Sequence, residues 1–371
     1  MENKGYVDAA RLKRVFLEMV HINSPAYQEA ELADFVQREL EGLGLKVSQG
    51  PPITGGNCGN VLGELPGSGR AILLSAHMDT VAPTAGIVCL EEDGVVRTDG
   101  RTILGADDKA GIAAILEALR VVVEYQLPHP TVYVLFTVAE EVGLLGARAC
   151  EPLPSIDYGY VLDSDGPPGT IVNGAPYHCD WRVVVHGKAA HAGVAPEEGI
   201  NAIAVAAAAL SKMSFGRLSP ETTCNVGIIE GGQARNIVPD TVKIVGEVRS
   251  FRKDEVKTQI DQMRAIWEET TKAFGATYCF DVEESYGGYV LPEEHPAIAV
   301  AKEAALRVGA TPTIRRSGGG SDANIFNTMG IPTVPLGFAA RGVHSKEESI
   351  DLADLKQVAE QVVEIIRLSA D

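Results

Sequence analysis

The stretch Ala71-Ile-Leu-Leu-Ser-Ala-His77-Met-Asp79-Thr80 decides how this chain is read. Five of its first six residues are apolar, the pattern of a strand buried on both faces. Two residues apart on a strand, His77 and Asp79 leave the same face of the pleat. A buried face has no use for an unpartnered imidazole and carboxylate. At the carboxyl end of the strand the pair has a use: His77 can ligate a metal while Asp79 orients a neighbour.

Further along, other apolar runs end the same way. Gly105-Ala-Asp107-Asp108-Lys109-Ala-Gly111 leads into a helix predicted over Lys109–Tyr125, and Glu140-Glu141-Val-Gly143 follows a strand predicted over Thr131–Val138. Asp163 closes a third strand, Tyr158–Leu162. Apolar strands alternating with helices predict an α/β layer with a mostly parallel sheet. In such a sheet ligands bind outside the carboxyl ends of the strands, so these clusters converge on one crevice. Each has a plainer use alone: Asp107 or Asp108 as a helix cap worth about 1 kcal/mol, Glu140-Glu141 as a solvated turn, Asp163 as the start of a loop. Gathered in one place they repel and lose hydration, which costs several kcal/mol unless cations neutralise them. The convergence, with His77, points to metal.

Composition narrows the classes. The chain has 371 residues, 45% hydrophobic and 22% charged, which suits a globular protein of two domains. A formal net charge of −18 argues against nucleic acid or an anionic membrane surface as partner. The six cysteines form no C-x-x-C pair and no disulfide framework. Met1-Glu-Asn-Lys-Gly-Tyr6 leads into a charged helical pattern rather than a signal-peptide core, and no apolar run reaches the length of about 18 residues that spans a membrane. The expectation is a reduced, cytoplasmic protein.

Near residue 175 the pattern changes. Strand Trp181–Val185, helix Asn201–Met213, strands Thr223–Ile229 and Thr241–Val248, helix Asp254–Phe274 and strand Tyr278–Val282 read as βαββαβ, the ferredoxin-like unit. The α/β pattern resumes after Pro292 and ends in the amphipathic helix Leu352–Leu368. The expected division is a discontinuous catalytic domain, 1–175 and 290–371, with 176–289 inserted as a lid or dimerisation domain.

Taken in order, His77-x-Asp79, Gly-Ala-Asp107-Asp108-Lys, Glu140-Glu141-Val-Gly, Asp163 and Val343-His344-Ser resemble the motifs of the co-catalytic zinc exopeptidases, a family that includes peptidase T, carboxypeptidase G and aminoacylase. Leu104–Gly111 is most similar to the peptidase T branch. The chain differs from peptidase T in having Gly318 where that enzyme has an arginine before Gly-Gly, and in lacking its long insertion between the His-x-Asp and Gly-Ala-Asp-Asp segments. The resemblance implies two divalent metals bridged by Asp107, one held by His77 and Asp163 and the other by Glu141 and His344. It also implies Glu140 as general base, Asp79 behind His77, and a cis peptide between Asp107 and Asp108. Zinc is the metal implied; oxygen and nitrogen ligands also accept Co²⁺ or Mn²⁺.

In the insert, the resemblance gives His191 of Lys188-Ala-Ala-His191-Ala-Gly193 a role in binding substrate or its tetrahedral intermediate, often across a dimer. Either Asn236, in Gly231-Gly-Gln-Ala-Arg-Asn236, or Arg249 can hold a substrate carboxylate. The expected activity is release of the amino-terminal residue from short peptides. A carboxypeptidase or N-acyl-amino-acid deacylase on the same scaffold is the alternative, and a non-catalytic metal or peptide binder is the reading from another class.

Overall fold

The apolar run that begins at Ala71 forms a strand, Ala71–His77, with every residue after the first buried. In the computed structural model, which describes residues 5–370, it lies inside the largest sheet. Met1–Lys4, part of the segment read as leading into a helix, and Asp371 lie outside the described residues. Strand Ala71–His77 pairs in parallel with Thr131–Thr137 on one side and with Tyr158–Ser164 on the other. Thr333–Gly337 adds a further parallel neighbour to Tyr158–Ser164. Antiparallel strands Val61–Leu65 and Lys46–Gln49 extend the side beyond Thr131–Thr137. The expected mostly parallel α/β sheet is therefore present. Its register places His77 opposite Thr137, so both chains leave the sheet at one level.

By its internal contacts the chain divides into two units. One comprises the chain up to Gly174, Leu291–Ser317 and everything from Ser321 onward; the other is Ala175–Val290 with Gly318–Gly320. In the first unit the helix Ala106–Glu124 is apolar on nearly every side, because it lies between the sheet strand Ala71–His77 and the helices Ala9–Val20 and Leu352–Leu368. It starts three residues before the expected Lys109, and Asp107 and Asp108 at its start have non-helical backbone angles. The Asp107–Asp108 peptide is cis. A side chain at Gly111 would stand 2.3 Å from the Asp108 carboxylate, so this turn admits only glycine there.

A small antiparallel sheet of the same unit was not expected from the sequence. It runs Ala340–Arg341, Ser349–Asp351, Val95–Thr98, Cys89–Glu92. Its strands are two to four residues long and half exposed, so they carry little alternation to read.

The second unit contains, in order, Tyr177–His186, helix Ala202–Leu210, Thr222–Gly231, Thr241–Ser250, helix Lys253–Phe274 and Thr277–Tyr286. This is the βαββαβ order expected, with all four strands longer and the first helix shorter. Thr277–Tyr286 and Thr241–Ser250 flank Tyr177–His186, and Thr222–Gly231 lies outside Thr241–Ser250, all antiparallel. Cys179, Trp181, Val183 and Val185 alternate onto the face covered by the two helices, where Val205, Met263 and Trp267 meet them. Trp181 reaches so close to Gly246 that a Cβ there would stand 2.3 Å from its ring.

Among the described residues no helix is long and apolar enough to cross a membrane. The six cysteines are all unpaired.

Candidate metal centre

Three strand ends and two loops meet in the first unit. His77 is the last residue of its strand and is buried. Its Nδ1 lies 2.8 Å from the backbone carbonyl of Asp79, which leaves Nε2 free to point outward. Nε2 stands 3.1 Å from Asp107 Oδ1 and 4.0 Å from Asp163 Oδ1. The other oxygen of Asp107 faces a second histidine, with Oδ2 3.2 Å from His344 Nε2. His344, half exposed and in a left-handed backbone conformation, also lies 2.9 Å from Glu141 Oε1. That carboxylate oxygen is buried yet has no hydrogen-bond partner, as expected of two ligands aimed at a common point rather than at each other. Ligand atoms of His77, Asp107 and Glu141 lie within 4.8 Å of one another, and so do those of His77, Glu140 and Asp163.

Burial raises the carboxyl of Glu140 well above its usual range, and the charge of Asp163 adds to the shift. Asp163 and Asp108 are raised too, again by burial first. For Asp107 burial is outweighed by hydrogen bonds from His344 and His77, which hold its carboxyl below the ordinary range. The same contacts raise both imidazoles: His77 despite its burial, and His344, beside Asp107 and Glu141, to about 10. Carboxylates this close together and this little hydrated, with two histidines drawn to them, suit divalent cations, whose charge would offset their mutual repulsion. The donor set is nitrogen and oxygen only, which suits Zn²⁺, Co²⁺ or Mn²⁺.

The acidic pair Glu140-Glu141 is held by its backbone. Ala139 N–H donates to Glu29 Oε1 at 3.0 Å, Glu140 N–H to Asp79 Oδ1 at 2.8 Å and Glu141 N–H to Asp79 Oδ2 at 3.1 Å. The Asp79 carboxylate was expected to orient His77. Its Oδ1 is 3.5 Å from Nδ1, and its shorter contacts are to these amides. Glu29 was not singled out from the sequence, because an acid near the start of a helix is ordinary. Asp322, likewise overlooked, is fully buried, accepts from Thr137 Oγ1 at 2.5 Å and is raised to about 6, chiefly by burial.

The expected substrate-binding residues fall in the second unit. His191 is exposed and its Nδ1 accepts from Gly193 N–H at 3.2 Å. Its loop meets that of Asn236: Ala192 N–H donates to the Asn236 carbonyl at 3.0 Å, and His191 bridges to Ile237. Arg249, in the strand Thr241–Ser250, forks onto Glu247 at 3.1 and 2.9 Å and donates to the Gly318 carbonyl at 3.2 Å. The carboxylate its guanidinium grips here is an internal one.

The chain resembles known proteins along nearly its whole length. Residues 73–368 match the model of peptidase family M20/M25/M40. The crystal structure of aminopeptidase PepT from Bacillus cereus is 40% identical with a TM-score of 0.94, covering 99% of this chain and 100% of that one. A tripeptidase from Staphylococcus aureus is 37% identical with a TM-score of 0.95, covering 98% and 99%. The YXEP protein of Bacillus subtilis, described as a dinuclear metal-binding peptidase, shares the fold at 21% identity, with a TM-score of 0.76 and 99% of each chain covered.

Proposed function

This chain belongs to peptidase family M20/M25/M40 and is a metal-dependent peptidase; we propose that it releases the amino-terminal residue of short peptides at a two-metal centre. One observation carries the reading of the centre: the two oxygens of Asp107 each face a different histidine, the arrangement of a bridging carboxylate. In this reading His77, Asp107 and Asp163 hold one metal, and Asp107, Glu141 and His344 hold the other. Amino-peptidase activity on short peptides is favoured by the likeness to an aminopeptidase and a tripeptidase.

Metals held by these residues would lower the pKa of a water and polarise the scissile carbonyl. Glu140, half-buried beside the ligands and fixed through its own amide, is placed to take a proton from the attacking water and deliver it to the leaving amine. His191 donates to the developing oxyanion, and Asn236 on the adjoining loop binds the substrate carboxylate. Arg249 is an alternative receptor, which must first exchange its internal partner Glu247 for substrate.

The second unit is proposed as a lid and pairing surface. Helix Ala202–Leu210 is entirely apolar yet exposes Ile203, and Thr222–Gly231 exposes Ile228 and Ile229. Beyond Cys224 the outer edge of that strand has no neighbour among the described residues. Such a surface suits a second copy of the chain. A cytoplasmic location fits six unpaired thiols.

The test is a panel of di- and tripeptides against N-acyl amino acids, assayed with added Zn²⁺, Co²⁺ or Mn²⁺. Release of the first residue from free-amino peptides supports the proposal. Release of the last residue, or cleavage of acyl amino acids alone, would replace it with a carboxypeptidase or deacylase.

A further inference from the structure

Glu348 lies four residues beyond His344 and just before the strand Ser349–Asp351. It is fully buried, an unusual place for a carboxylate without a partner. Its partners are two backbone amides more than two hundred positions away in sequence. Oε2 accepts Gly105 N–H at 2.7 Å and Oε1 accepts Asp107 N–H at 3.0 Å. Both donors belong to the turn that carries Asp107, and Gly105 takes the left-handed conformation that aims its N–H the same way. The favourable charge facing Glu348 is Lys109, itself fully buried, with Nζ donating to the Ile22 carbonyl at 2.6 Å.

The chain on the other side of Glu348 is equally fixed. Its N–H donates to the Ser345 carbonyl at 3.2 Å, closing a turn that follows directly on the one carrying His344, itself closed by Ser345 N–H on the Gly342 carbonyl at 3.2 Å. Ser349 and Ile350 then pair with Arg97 and Val96. Glu348 thus ties the turn presenting His344 to the turn presenting Asp107, whose side chains stand 3.2 Å apart. We propose that Glu348 is a positioning residue for the two-metal centre, holding the Asp107 backbone so that each carboxylate oxygen meets its own metal. This rests on the reading of Asp107 as a bridge.

A single carboxylate suits the task because it presents two acceptors to two parallel N–H groups, with charge-assisted bonds stronger than neutral ones. An amide in its place keeps the shape but turns a donor towards one of those N–H groups, and alanine leaves both unpaired in the interior.

The test strips the full-length protein of metal and titrates it with Mn²⁺ by calorimetry, for wild type, Glu348→Gln, Glu348→Ala and Ile350→Val. The last removes a buried methylene from the same strand without touching either turn and serves as the stability control. The expected result is a loss of metal affinity of about 10–100-fold in Glu348→Gln, the usual effect of removing a group that supports a ligand, and a larger loss in Glu348→Ala. Ile350→Val should lower the melting temperature but bind Mn²⁺ as wild type does. Affinity of Glu348→Gln within twofold of wild type overturns the proposal, as does an equal loss in Ile350→Val. If Glu348→Ala does not fold, Glu348→Gln decides. Wild type binding no metal would instead defeat the two-metal reading itself, a separate result.

Discussion

Asp79 Oδ1 accepts the backbone N–H of Glu140 at 2.8 Å, joining the end of one sheet strand to the turn that follows its neighbour. With Oδ2 taking the next amide, the carboxylate grips the acidic pair rather than only standing behind His77. Asp79→Asn should therefore disturb Glu140, the proposed base, before it disturbs metal binding. We expect kcat to fall roughly 10–100-fold while metal content, measured by elemental analysis, stays near wild type. Loss of metal with unchanged kcat per loaded site would return Asp79 to a role through His77.

The neighbouring acids should separate cleanly. Glu140→Gln should retain metals and fold yet lose roughly 10²–10⁴ in kcat, the scale of general acid–base catalysis. Glu141→Gln should weaken metal binding, because its buried Oε1 faces His344. Parallel measurement of kcat and metal stoichiometry checks both, and opposite behaviour would exchange their roles.

Metal-free protein should become less stable as pH rises through neutrality. Glu140, Asp163 and Asp108 are raised in the folded state by burial, so folding retains protons that the unfolded chain releases above its ordinary carboxyl range. His77 and His344 are raised by their acidic neighbours, and their stabilisation is complete below the unfolded value of about 6.5 and lost as pH climbs through the folded values. Both sets bind more protons folded than unfolded, and stability then falls with rising pH. Asp107 has the opposite sign, but its effect is confined to acid below the ordinary carboxyl range. The gain in melting temperature on adding Zn²⁺ should be larger at pH 8 than at pH 5.5. A gain that shrinks with pH contradicts this account.

His191→Ala should lower kcat by about 10²–10³, the scale of one lost oxyanion donor, without changing metal content. Mixing this variant with Glu140→Gln chains tests the route. Activity regained in mixed dimers means that the histidine acts on the partner's site. Near-normal activity of His191→Ala alone would leave it an ordinary exposed loop residue.

What the sequence alone determined was local and periodic. Apolar runs at Ala71, Thr131 and Tyr158 specify buried parallel strands because strands covered on both faces read as continuous hydrophobic stretches. Polar residues at their carboxyl ends are the sites where an α/β sheet opens to ligand, so His77, Glu140, Glu141 and Asp163 were visible before any coordinates. The βαββαβ order beginning with the strand read at Trp181–Val185 likewise marked the second unit. Tertiary structure alone decided which acid holds which amide. The Glu29–Ala139, Asp79–Glu140 and Glu348–Asp107 bonds join residues 110, 61 and 241 positions apart. A hydrogen bond between distant segments leaves no periodic trace in either one. Arg249 is the same case: its charge was legible, but its capture by Glu247 depends on neighbours of the folded strand. Burial reads out as composition along a chain, whereas pairing of polar groups depends on which segments the packed core brings within about 3 Å.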